Sequence, residues 1–253
     1  MVERGQVWRL GRHRLLCGDA TSKDDVEKLM NGNKANLMLT DPPYGVNIVN
    51  VKSGGGIGGT IAPTSCLRKS GIIGTPGIAP PRLYEPVIGD DSTDSARDHF
   101  NVAKDYTKNQ IIFGGNYFTE FLPPHKCWIV WDKQNGQNNN FADGELAWTS
   151  FDKPLKIYQW RWAGMIRKGK RSIELKERIH PTQKPVGMLQ AIIEDFTEEN
   201  ATVLDCFAGS GSTLIACELS GRTCYTMELS ESYCEKIIDR WETITGEKAE
   251  LLN

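Results

Sequence analysis

The sequence contains no CxxC motif. Its seven cysteines are odd in number, and the nearest two, Cys217 and Cys224, are separated by six residues. That spacing supports neither a tetrahedral zinc site nor a disulfide framework. Buried, reduced thiols in a cytoplasmic protein are the expectation. No run of 18 apolar residues occurs, and the N-terminus does not pass from basic into apolar residues. Neither a membrane span nor a secretory signal is expected. Charge of one sign is missing too: the formal net charge is −2, so any surface for a polyanion has to be local. One stretch qualifies. Between Arg161 and Arg178 lie Arg161, Arg167, Lys168, Lys170, Arg171, Lys176 and Arg178 against Glu174 and Glu177. A solvated charged loop has the same composition.

What is present is ordinary in bulk and specific in detail. At 253 residues, 39% hydrophobic and 25% charged, the chain suits one sizeable α/β domain spanning 1–253. Strands are expected at Arg14–Cys17, Ala35–Thr40, Gln110–Phe113, Cys127–Trp131, Thr202–Asp205 and Thr223–Met227. Helices are expected at about Lys23–Met30, Asp94–Lys108, Val186–Phe196, Thr213–Ser220 and Glu231–Thr243. Strands alternating with helices indicate a doubly wound, mostly parallel sheet. Ala35–Thr40 is apolar on both alternating faces, as a buried parallel strand is. Residues 45–81 break the pattern: the segment is glycine-rich between Gly54 and Gly77, with little periodicity. A flexible lid and a slack surface insertion are both open readings of it.

Two motifs carry chemistry. Val203 to Thr213 reads as a strand, a Gly209-Ser210-Gly211 turn and a helix start. Glycines there let a ligand approach the backbone closely. No Lys follows Gly211, which excludes a P-loop, and Leu214 stands where a dinucleotide fingerprint needs a third glycine. A ligand without phosphate fits better. Glu228 ends the following strand, 23 residues after Asp205, where a carboxylate meets a ribose diol in nucleoside-binding sheets. The second motif, Asp41-Pro42-Pro43-Tyr44, sits at a strand's carboxyl end because proline cannot continue a central strand. An aromatic amine is a poor nucleophile, since its lone pair is delocalised into the ring. The Asp41 carboxylate and a rigidly directed Pro42 carbonyl would accept its protons and localise that pair. The Tyr44 ring offers a stacking face for an extruded base.

In this order, Asp41-Pro42-Pro43-Tyr44, then His180-Pro181-Thr182-Gln183-Lys184-Pro185, then Asp205-Cys206-Phe207-Ala208-Gly209-Ser210-Gly211-Ser212-Thr213, the chain resembles the beta group of DNA amino-methyltransferases, whose targets are adenine N6 and cytosine N4. The resemblance implies a Rossmann-like methyltransferase fold with circularly permuted motif order and S-adenosylmethionine as cofactor. It implies catalytic roles for Asp41, Pro42, Pro43 and Tyr44, with no metal. It implies cofactor contacts from Asp205, Phe207, Ala208, Gly209, Ser210, Gly211 and Thr213, with Glu228 on the ribose and Thr182 and Lys184 near the methionine end. Cys17-Gly18-Asp19-Ala20 resembles the segment beside the cofactor adenine; Asp19 either accepts from the adenine amine or caps the helix after it. Residues 141–178 occupy the place of a target-recognition insert, with Trp148, Trp160 and Trp162 beside the basic stretch. Double-stranded DNA is the implied partner, with a homodimer by analogy; the sequence does not disclose a cognate restriction endonuclease. An Asp at the head of the tetrapeptide leans toward adenine N6 within this family. Cytosine N4, a protein glutamine, and a nucleoside-binding regulator without turnover are the alternatives.

Overall fold

The computed structural model describes residues 1–46, 88–135, 142–163, 166–167, 180 and 182–252. In chain order the strands are β1 (Val7–Leu10), β2 (His13–Cys17), β3 (Ala35–Thr40), β4 (Thr107–Phe113), β5 (Trp128–Asp132), β6 (Gly144–Thr149) and β7 (Lys156–Gln159). They are followed by the two-residue strands β8 (Trp162–Ala163) and β9 (Ile166–Arg167), then by β10 (Thr202–Asp205), β11 (Thr223–Glu228) and β12 (Glu250–Leu251). The helices are α1 (Lys23–Met30), α2 (Asp94–Ala103), α3 (Val186–Phe196), α4 (Ser212–Ser220) and α5 (Glu231–Thr245).

Ten strands form one sheet in the order β12-β1-β2-β11-β10-β3-β4-β6-β5-β7. The five central strands from β2 to β4 run parallel, and the antiparallel pairings lie outside them. The sheet is Rossmann-like. Alternation along β3 and its neighbours divides the core: Leu37, Leu39, Ile111, Phe113 and Val203 pack with α3, α4 and α5 on one face. Met38, Ile112 and Leu204 pack with α1 and α2 on the other. Each such fully buried side chain contributes about 1.5–3 kcal/mol by leaving water. Among the described residues, no helix is long and apolar enough to cross a membrane.

The chain turns one way after β3, to β4, and the other way after β10, to β11 and thence to β2 in the sheet. Adjacent strands whose connections diverge leave a crevice at their carboxyl ends, the usual ligand site in such sheets. Asp41 follows β3 and Asp205 ends β10, so both acids stand at that crevice.

The structure bears on two of these readings. Residues 144–159, read as part of a recognition insert, supply β6 and β7 of the main sheet. Trp148 and Trp162 are buried in the protein and are not available to wedge into a base stack; Trp160 is half-buried against the core. Asp19 does not cap α1. Ser22 does, its hydroxyl accepting from the Asp25 amide at 3.2 Å, while Asp19 Oδ1 accepts from the Thr21 amide and hydroxyl in the preceding turn. The greater part of the 45–81 segment and of the basic stretch falls outside the described residues.

Candidate active site

A cavity of about 280 Å³ opens at the crevice between β3 and β10. Asp41, Pro42, Pro43 and Tyr44 line it from β3, and Asp205, Phe207, Ala208, Gly209, Ser210 and Thr213 line it from β10 and the turn after it. Glu228 lines it from β11, Asp19 and Ala20 from the turn after β2, and Thr182 and Lys184 from the segment before α3. Gly211 does not line it. It is the left-handed N-cap of α4, with φ +72°, and a Cβ there would meet Ile237 at 3.1 Å. The glycine is needed for the turn rather than for ligand contact.

On the glycine-turn side Asp205 is buried and Glu228 half-buried. Asp205 Oδ1 accepts from the Thr40 hydroxyl at 2.9 Å and the Phe207 amide at 3.2 Å. Burial nonetheless raises its carboxyl to about 6, against the hydrogen bonds from Thr213, Thr40 and Phe207. Glu228 accepts from the Gly209 amide at 2.8 Å and the Ser230 amide at 2.9 Å, and burial raises its carboxyl as well. Each carboxylate oxygen has more than one lone pair, so both acids can still accept from ligand donors. Gly209 adopts φ +53°, and a Cβ on it would stand 3.3 Å from His180 Nδ1; that nitrogen lies 3.0 Å from the Thr182 hydroxyl. Arg240 of α5 holds the turn from behind, donating to the Ser210 carbonyl at 2.7 Å.

The Asp-Pro-Pro-Tyr corner is held by charges from segments distant in the sequence. Lys184 Nζ lies 2.5 Å from Asp41 Oδ2 and 3.2 Å from Glu145 Oε2. Lys133 Nζ lies 2.6 Å from Glu145 Oε1. The Tyr44 hydroxyl donates to Asp41 Oδ1. Burial pushes the Asp41 carboxyl up, with Lys184 opposing the shift. Burial also works against the charge on Lys184, but Asp41 and Glu145 outweigh it and keep the ammonium protonated. The Tyr44 ring stacks on Tyr117 at 5.0 Å with 14° between planes, and burial drives its phenol well above the ordinary range. Gly114, φ +69°, lets the ring lie against the backbone: a Cβ there would stand 2.2 Å from Tyr44 Cε1.

Sequence reading missed Glu145, Lys133, Arg240, Tyr117 and the place of Gly114. Gly114-Gly115 after a strand was a usable signal for a close backbone approach. The ion pairs had none, since Lys184 and Asp41 are 143 residues apart. Lys184 was expected near the cofactor's methionine end; in the structure its ammonium is engaged by Asp41 and Glu145.

Residues 92–239, more than half of the chain, match the N6/N4 DNA methylase family model. The chain belongs to the N6/N4 DNA methylase family. Members of this family are S-adenosylmethionine-dependent DNA methyltransferases. YubD of Escherichia coli K12, named as a methylase, is 46% identical over 82 residues, covering 32% of this chain and 31% of that protein. Type II methyltransferase M2.MboI of Moraxella bovis is 32% identical over 131 residues, covering 51% of this chain and 46% of that protein. The match thus spans less than half the length of each of these relatives. Two solved structures share the fold. TTHA0409 of Thermus thermophilus, described as a putative DNA modification methylase and solved with S-adenosyl-L-methionine, has a TM-score of 0.50 at 17% identity over 93% of this chain and 97% of its own. The cytosine-N4-specific PvuII DNA methyltransferase has a TM-score of 0.50 at 15% identity over 93% of this chain and 94% of its own.

Proposed function

We propose that the protein transfers a methyl group from S-adenosylmethionine to the N6 amino group of an adenine extruded from double-stranded DNA. The observation that carries this reading is that the Asp41 corner and the Gly209–Glu228 turn line one cavity. Two carboxylates on adjacent strand ends, Asp205 buried and Glu228 half-buried, neither in a salt bridge among the described residues, suit a ligand that brings a ribose diol and an ammonium group. In this reading Glu228 accepts from the ribose hydroxyls, and Asp205 takes the ammonium end. Asp19 and Ala20 border the adenine, with Phe207 beside them. Ala208 to Ser210 give close backbone passage, and Thr213 and Thr182 complete the wall. When bound, the cofactor supplies an electrophilic methyl on a sulfonium, so no metal is needed.

The chain's own residues then work on the amine. Asp41 and the Pro42 carbonyl accept its two protons, Pro43 fixes the direction of that carbonyl, and Tyr44 stacks on the base. The contribution is alignment and electrostatics rather than covalent catalysis. Asp at the head of the tetrapeptide supports adenine over cytosine by resemblance to the family.

The test uses methyl-labelled cofactor and duplex DNA, followed by mass spectrometry of the digested nucleosides. N6-methyladenine is the expected product; N4-methylcytosine would move the target while keeping the chemistry. Asp41→Ala is expected to abolish transfer and to leave cofactor affinity within about threefold. Survival of transfer, or joint loss of transfer and binding, overturns the role given to Asp41.

A further inference from the structure

Both oxygens of the Asp41 carboxylate already have donors. Oδ1 takes the Tyr44 hydroxyl and Oδ2 takes the Lys184 ammonium. A target amine therefore has to use the remaining lone pairs, in competition with the Tyr44 hydroxyl and the Lys184 ammonium. Lys184 has an alternative seat, because Glu145 on β6 approaches the same ammonium at 3.2 Å. Lys133, at the end of β5, binds the other Glu145 oxygen at 2.6 Å. The result is a chain of alternating charge, Asp41–Lys184–Glu145–Lys133, with two carboxylates and two ammoniums. Glu145 is not among the cavity-lining residues; it reaches the corner through the Lys184 ammonium and by its charge on Asp41.

We propose that Glu145 is a positioning residue: backed by Lys133, it competes with Asp41 for the Lys184 ammonium and so sets how freely the Asp41 carboxylate accepts from the target amine. This rests on the methyl-transfer reading above. Without Glu145, Lys184 has one carboxylate left and stays on it. Without Lys133, Glu145 has one cation left and draws Lys184 away from Asp41. The charged and titratable groups that act on Asp41 among the described residues are Lys184 before α3, Glu145 on β6, Tyr44 in its own turn and Asp205 on β10. The two substitutions therefore push the Asp41 ionisation in opposite directions.

The experiment is the pH profile of single-turnover methyl transfer by the full chain, with cofactor affinity measured alongside. Glu145→Gln is expected to move the acid limb to lower pH, and Lys133→Met to higher pH, each by about half a unit or more. Cofactor affinity is expected to stay within about twofold in both, and Lys133→Arg restores the original limb. If Glu145 and Lys133 merely brace the fold, nothing makes their two substitutions move the limb in opposite directions. Limbs that move together, or do not move while transfer persists, overturn the proposal. Direct carbon-13 NMR titration of the Asp41 carboxyl in the same variants reads the same displacement without turnover. Failure of the unmodified chain to transfer methyl therefore strikes the proposed activity, and unshifted titrations strike the role of Glu145.

Discussion

Asp205 titrates close to neutrality because burial raises its carboxyl to about 6. For the ligand-free fold the sign is unfavourable. The folded value lies above an unfolded one near 4, so ionising Asp205 removes stability as pH rises from about 4 to about 6. For a cationic ligand the sign reverses, since only the ionised acid attracts an ammonium. Affinity for S-adenosylmethionine is therefore expected to fall below pH ~6, by up to about tenfold per unit. Calorimetric titration between pH 5 and 8 measures it. Asp205→Asn is expected to bind weakly throughout and to lose that slope; a variant that keeps the slope would place the titrating group elsewhere. The acids at the glycine turn were readable from spacing alone, because a strand end and a fixed interval define them. The partners of Asp41 were not. Glu145 and Lys133 sit on or beside strands whose neighbours no local pattern names, and their pairing exists only once the sheet is assembled.

Elements whose periodicity is long and unbroken were legible to the residue. Lys23–Met30, Ala35–Thr40, Val186–Phe196 and Thr202–Asp205 have the expected limits, because an amphipathic or doubly apolar pattern decides them locally. The expected helix from Asp94 to Lys108 stops at Ala103 and continues as a 3-10 turn over Lys104–Tyr106, after which Thr107 already pairs in β4. Strand pairing won those last residues. Strands were expected between Phe141 and Trp162, but the place of β6 was not legible: it inserts antiparallel between β4 and β5, a non-sequential placement that its own six residues do not encode. The turn between β4 and the 3-10 turn Gly115–Tyr117 carries a sharp expectation. Gly114→Ala puts a Cβ 2.2 Å from Tyr44 Cε1 at φ +69°, so the tyrosine ring has to leave. A fall in kcat on the order of 100-fold is expected from the misplaced stacking face, with cofactor affinity nearly unchanged. Stability drops by only about 1–2 kcal/mol from the left-handed alanine, measurable by urea denaturation. A fold that loses far more, or a kcat that holds, contradicts the contact as the reason for the glycine.

At the scale of the molecule, a net charge of −2 leaves DNA binding to a local surface. The basic residues between Arg161 and Arg178 are the sequence's candidates. Each lysine there that touches a phosphate adds about 0.9 to the slope of log affinity against log salt. Lys168→Ala combined with Lys170→Ala is expected to flatten that slope by about 1.8, with the single-turnover rate at saturating DNA unchanged. Fluorescence anisotropy across a salt series measures it, and an unaltered slope removes those two side chains from the interface. A shared cavity at the strand switch point, with helices on both sheet faces, was implied by the order of motifs; which segments surround it was not.

One contact bears on how such a molecule can be altered. Asp90 Oδ1 accepts from the Gly45 amide at 3.1 Å and the Val46 amide at 3.3 Å, and a Cβ on Gly45 would stand 2.9 Å from the Ser92 carbonyl carbon. Two points 45 residues apart in the sequence are therefore tied directly beside Tyr44. Because the cost of closing a longer stretch between two tied points grows only slowly, the tie between Gly45, Val46 and Asp90 is expected to tolerate changes in the number of residues between them. Variants that differ in the length of that stretch are then expected to keep the Asp-Pro-Pro-Tyr corner in place as long as this tie persists, which makes it a natural seam for exchanging one stretch for another.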